Sequence, residues 1–129
     1  MSLGSWIPEG KKSDLELPSL ELLQQWSALS QAAIKDLPEA DLTILANTMQ
    51  AGIEHWLEHL GPLKYEELLG LIKFFTLIEM QFPQCRADQY CPAIACAKLL
   101  RKSGNKLDKD LLGWIRQVSD NRYLPYGPL

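Results

Sequence analysis

The chain has 129 residues, 47% hydrophobic and 22% charged, with a formal net charge of −3. This ordinary composition argues against wholesale disorder, and a chain of this length buries about two-thirds of its unfolded surface in one domain without help from a metal or disulfide. Three cysteines, Cys85, Cys91 and Cys96, are an odd number with no CxxC spacing, which argues against a disulfide framework and for a reducing, cytoplasmic setting.

Residues 1–17 read as an irregular arm. Pro8, Gly10, Asp14 and Pro18 leave no apolar h-region for a signal peptide. Trp6 is expected to dock on the domain, because burial is where an aromatic side chain gains most. A helical domain over 18–120 follows, then an extended tail over 121–129.

The first helix is expected to start at Pro18 or Ser19 and to run to about Asp36, burying Leu22, Leu23, Trp26, Leu29, Ala33 and Leu37. Asp36-Leu37-Pro38-Glu39 has the form of a capping box. The second helix should then continue to Leu60, with Leu42, Leu45, Met49, Gly52, Ile53, Trp56, Leu57 and Leu60 on one face. Gly61 offers a left-handed cap and Pro62 prevents continuation. So short a connection predicts that the second and third helices pack as an antiparallel hairpin.

The third helix, about Lys64 to Gln81, holds LLGLIKFFTLIEMQF (Leu68 to Phe82), which is apolar on almost every side. Glu66, Lys73, Thr76 and Glu79 make one thin polar stripe, so neighbours should cover most of the helix. Lys73 and Glu79 keep the run below the roughly 18 apolar residues of a membrane span. The segment from Pro83 to Cys91 reads as a polar surface connector. A fourth helix begins near Pro92 and ends near Ser103-Gly104-Asn105, with Cys96 as a small core residue. A fifth is capped by Asp108, stapled by Leu107 and Leu112, and ends near Ser119.

In the tail, Pro125, Gly127 and Pro128 exclude a helix, while Tyr123, Leu124, Tyr126 and Leu129 are apolar enough to fold back over the bundle. The expected fold is therefore all-α: five helices, the third central, the fourth and fifth forming a second hairpin.

Two constellations bear on function. His55-Trp56-Leu57-Glu58-His59 reads H-x-x-E-H and resembles the inverzincin proteases over these five residues. The resemblance implies zinc on His55 and His59, Glu58 as general base and a third carboxylate ligand, with Glu66, Glu67 and Glu79 as candidates by type. Trp56 and Leu57 on the buried stripe speak instead for an ordinary helix face. No nucleophile motif, phosphate loop or paired-carboxylate arrangement accompanies it, so no catalytic residue and no cofactor is assigned.

The other constellation is electrostatic. Residues 98–129 carry a net +4 and residues 1–97 a net −7. Lys98, Arg101, Lys102, Lys106, Lys109, Arg116 and Arg122, with Tyr123 and Tyr126, form a candidate partner-binding set. The reading is a small non-enzymatic interaction or regulatory module acting through a protein partner, unidentified and compatible with an acidic surface. Helix-turn-helix-like nucleic-acid binding through the last two helices is the alternative, opposed by acids at the start of the fifth helix. No membrane partner is expected. A homodimer is compatible with any apolar face left over after packing.

Overall fold

A computed structural model describes residues 16–127. Within them are seven α-helices and no strand: α1 Leu20–Ser27, α2 Gln31–Lys35, α3 Glu39–Thr48, α4 Ile53–Leu60, α5 Tyr65–Gln81, α6 Pro92–Lys102 and α7 Lys109–Val118. The all-α architecture agrees with the sequence reading; the count of five does not. Trp6 lies outside the described residues.

Both extra helices arise from breaks in runs whose apolar spacing is continuous. The first helix stops at Ser27, whose hydroxyl donates to the Gln24 carbonyl at 2.6 Å. Ser30 then starts α2 by accepting the Ala33 N–H at 3.2 Å. Asp36 closes α2, and α3 starts after Pro38 with no side-chain cap, so the expected Asp36–Glu39 capping box does not form. The second break is at Gly52, whose φ of +117° lies in the region that glycine tolerates best. Gly61, by contrast, is right-handed helical, with φ −51°. The expected left-handed cap is absent there, and Pro62 alone follows to block the helix.

The long helix α5 is the axis of the fold. Its neighbours are α1, α2, α6 and α7. The closest approach is at Gly70. A Cβ there would lie 2.2 Å from the Ser27 carbonyl oxygen, so only glycine lets α1 lie this close. Just beyond the crossing, Trp26 stacks on Phe74 at 4.9 Å between ring centroids. Phe75 meets Phe74 edge-on at 5.3 Å and Trp56 at 5.4 Å, continuing the aromatic cluster across the core. Such pairs add about 0.5–1.5 kcal/mol each beyond their area. The indole N–H groups are also satisfied: Trp26 donates to Asp41 at 3.2 Å and Trp56 to the Thr48 carbonyl at 3.1 Å.

The expected hairpins are replaced by a different pairing. The main backbone neighbour of α4 is α6, and it reaches α5 through Trp56. Likewise α7 lies on α5 rather than pairing chiefly with α6. Small residues on α6 explain its central place: Ala93, Ala95, Cys96 and Ala97 are all fully buried, letting α4 and α5 approach from two sides. The connector after α5 also departs from expectation. It forms two short 3₁₀ turns, Pro83–Cys85 and Asp88–Tyr90, and buries Cys85, Ala87 and Cys91.

Candidate functional site

Helix α6 presents the first part of the basic set. Its cations fall at Lys98, Arg101 and Lys102, and Arg101 and Lys102 lie in the last turn, where the helix dipole favours positive charge. The tail returns along this helix. Gly127, at φ +91°, sits so that an added Cβ would be 3.3 Å from Ile94 and 3.8 Å from the Lys98 stem. That brings Tyr126 beneath Arg101, with the guanidinium carbon 4.4 Å from the ring centroid, a cation–π geometry. Tyr123, Leu124 and Tyr126 pack partly buried against the core. Lys98, Arg101 and Tyr126 are therefore one surface.

The rest of the set is dispersed. Arg122 reaches over Tyr123, 5.2 Å from its ring, and donates to its hydroxyl at 3.2 Å. Lys102 borders the groove between α4 and α6 with Lys98, Glu54 and Glu58. Lys109 and Arg116 are exposed on α7, and Lys106 lines a separate groove between α5 and α7. Among the described residues, every ion pair within 4 Å involves Arg86. None of the seven cations between Lys98 and Arg122 has a carboxylate at that distance among the described residues.

The H-x-x-E-H residues lie on α4 and are already engaged or turned outward. His59 Nε2 donates to the Pro18 carbonyl at 2.6 Å, since a carbonyl can only accept. This bond ties the incoming chain to α4. Glu58 is exposed, and His55 is half-buried at the border of two shallow grooves. The third-ligand candidates are elsewhere: Glu67 accepts the Lys64 N–H at 2.8 Å as a helix cap, Glu66 is exposed, and Glu79 is buried. Among the described residues, no three His, Cys, Asp or Glu side chains converge to hold a metal ion.

Glu79 is the group whose environment sequence reasoning missed. The spacing puts it on a polar stripe, yet it is 2% exposed, at the C-terminal end of α5. One carboxylate oxygen accepts the N–H groups of Ala87 at 3.0 Å and Asp88 at 2.6 Å. Ala87, at φ −133° and ψ −14°, turns its own N–H and that of Asp88 onto one anion, and Asp88 follows in the left-handed region at φ +50°. The Asn121 amide donates to both carboxylate oxygens, at 2.9 and 3.1 Å, and to the Asp88 carbonyl at 2.9 Å. Arg86 closes the cluster. Its Nε is 2.7 Å from Asp88 and 3.7 Å from Glu79, and its Nη1 is 2.8 Å from Asp120. Asp88 and then Asp120 hold that guanidinium charged.

Around this centre the thiols are protonated. Burial pushes Cys91 well up, with the Glu79 charge adding to it, and burial alone pushes Cys85 up to about 11. Cys96 is raised by burial as well. Protonated, buried thiols are poor nucleophiles. The arrangement binds the connector and the tail to the central helix, with both oxygens of Glu79 accepting hydrogen bonds.

No helix among the described residues is long and apolar enough to cross a membrane. No protein-family model, curated protein or solved structure matches the chain.

Proposed function

We propose that the chain is a non-enzymatic interaction module that docks an acidic protein surface through α6 and the tail packed on it. The observation that carries this reading is the assembly of Lys98, Arg101 and Tyr126 into one surface whose cations have no carboxylate within 4 Å among the described residues. Arg stacked on Tyr is held in place before a partner arrives, so less side-chain freedom is lost on binding. Glu54 and Glu58 border the same region and set its acidic edge, which helps orient a partner rather than neutralise the patch. A reducing compartment such as the cytoplasm suits three unpaired, buried cysteines.

The nucleic-acid alternative is disfavoured by α7. Its N-terminus carries Asp108 and Asp110 next to Lys109, where a recognition helix would meet phosphate. A fluorescently labelled oligoglutamate peptide and a generic DNA duplex, titrated in parallel at low salt, separate the two. The acidic peptide should bind, with affinity falling as salt rises, and R101E/K102E should weaken it by about tenfold. Equal binding to the charge-reversed variant, or binding of the duplex alone, would refute the reading.

A further inference from the structure

The groove between α4 and α6 carries charge of both signs, sorted by helix. Glu54 and Glu58 lie one turn apart on α4, Lys98 and Lys102 lie one turn apart on α6, and all four line it. Glu54, Glu58 and Lys102 are exposed and Lys98 is half-buried. Leu57 of α4 and Leu99 of α6, each packed on the core but not covered, line the same groove. Acid and base are neighbours here, since α4 and α6 pack on each other. Yet among the described residues neither lysine has a carboxylate within 4 Å, and neither glutamate has a cation at that distance.

An acidic ridge beside a basic ridge fits a partner with the opposite arrangement, base facing α4 and acid facing α6. A purely acidic partner satisfies the lysines but is repelled by the glutamates, and a purely basic one does the reverse. A second copy of this chain carries both ridges at the matching separation. A two-fold axis laid along the groove turns that copy over, so that its α4 faces the first copy's α6 and its α6 faces the first copy's α4. Glu54 and Glu58 of each chain then oppose Lys98 and Lys102 of the other, and Leu57 and Leu99 meet near the axis. Such an interface is isologous, with every contact made twice.

We infer that the chain forms a two-fold homodimer through α4 and α6, held by reciprocal glutamate–lysine pairs around a leucine centre. The inference rests on the reading of α6 as a docking surface for an acidic protein, and it names that protein as a second copy. Exposed ion pairs are individually weak and are screened by salt. The association is therefore reversible and salt-sensitive, appearing at about 10–100 µM chain at low ionic strength.

Sedimentation velocity over a concentration series tests it. The wild type should pass from monomer to dimer at low salt, and about 0.5 M salt should weaken the dimer roughly tenfold or more. E54K/E58K and K98E/K102E should each be monomeric while keeping the wild-type far-ultraviolet spectrum, and the milder E54Q/E58Q should weaken the dimer by a few-fold. Mixed one-to-one, the two charge-reversed proteins should form a heterodimer, since the first is basic on both ridges and the second acidic on both. The exchange E54K/E58K/K98E/K102E should restore the homodimer. A wild type still monomeric at about 0.5 mM, a dimer that survives either reversal, or reversed proteins that do not pair when mixed would each overturn the inference. A monomeric wild type that binds oligoglutamate removes the homodimer and leaves the docking reading standing; one that does not bind the peptide removes both.

Discussion

Replacing Glu79 by glutamine removes a charge from the core while keeping shape and volume almost constant. The new carboxamide can turn its oxygen toward the Ala87 and Asp88 N–H groups, which now sit 3.0 and 2.6 Å from Oε2. Its –NH₂ then faces the Asn121 amide, which donates to Oε1 at 2.9 Å. Asn121 cannot turn over in relief, because its Oδ1 accepts the Tyr123 N–H at 2.9 Å and its Nδ2 donates to the Asp88 carbonyl. Losing one hydrogen bond to a charged acceptor costs about 1.5–3 kcal/mol, and the surviving bonds weaken as their acceptor becomes neutral. Relief from burying a charge offsets part of this. The expected net loss is about 3 kcal/mol, or a fall in Tm of about 10 °C for a domain of this size. Urea titration followed by far-ultraviolet circular dichroism measures it, and amide exchange should rise first at residues 87, 88 and 119–127. A cycle with Asn121→Ala should give a coupling of about 1–2 kcal/mol. An E79Q protein within about 0.5 kcal/mol of wild type, or two changes that simply add, would show that these contacts do not hold the connector and tail.

Three further outcomes are expected. Gly70→Ala forces a Cβ to within 2.2 Å of the Ser27 carbonyl oxygen, so α1 must move away, and chemical denaturation should show a loss of about 3 kcal/mol; a neutral effect would deny the close crossing. Asp108→Ala removes the acceptor of the Leu111 N–H and should cost about 1 kcal/mol in the same assay. The three thiols should resist a thiol reagent at neutral pH in the native protein and react together on unfolding. The native state holds the Cys85 proton to about pH 11 whereas an ordinary thiol loses it near 9.0, so this contribution to stability is complete below pH 9 and declines as pH rises toward 11. Rapid native labelling at pH 7, or stability rising across that alkaline range, would contradict this burial.

The helical class and the central helix were legible in the sequence because they follow from local periodicity. The expected span, Lys64 to Gln81, differs by one residue from Tyr65–Gln81, and Pro92 and Asp108 start α6 and α7 as read. The helix count was wrong because apolar spacing carries straight through Ser30 and Gly52. The cap at Ser30 and the positive φ of Gly52 are weaker signals of the kind that mark such breaks. The hairpin pairing was wrong because a short loop limits where a helix starts, not which neighbour it lies on. The small residues of α6 decided that, and only in three dimensions. On α5, Thr76 is buried yet satisfied within the helix, donating to the Ile72 carbonyl at 2.7 Å. Glu79 is buried because Asn121, 42 residues away, supplies donors that no local pattern contains. Of the candidate binding set, the fold stacks Arg101 on Tyr126 and brings Gly127 against the Lys98 stem, while Lys106 lines another groove.

The carboxylate at the end of α5 also sets an order of events during synthesis. The ribosome makes that helix, and the turns that cradle its acid, well before it makes Asn121. Until the segment after α7 emerges, a nascent chain carries a water-seeking anion at the heart of its packing with half of its donors still untranslated. The domain cannot therefore be sealed from its beginning: the segment that holds Asn121 completes it, and a product that stops short at Val118 should be an early target for proteases.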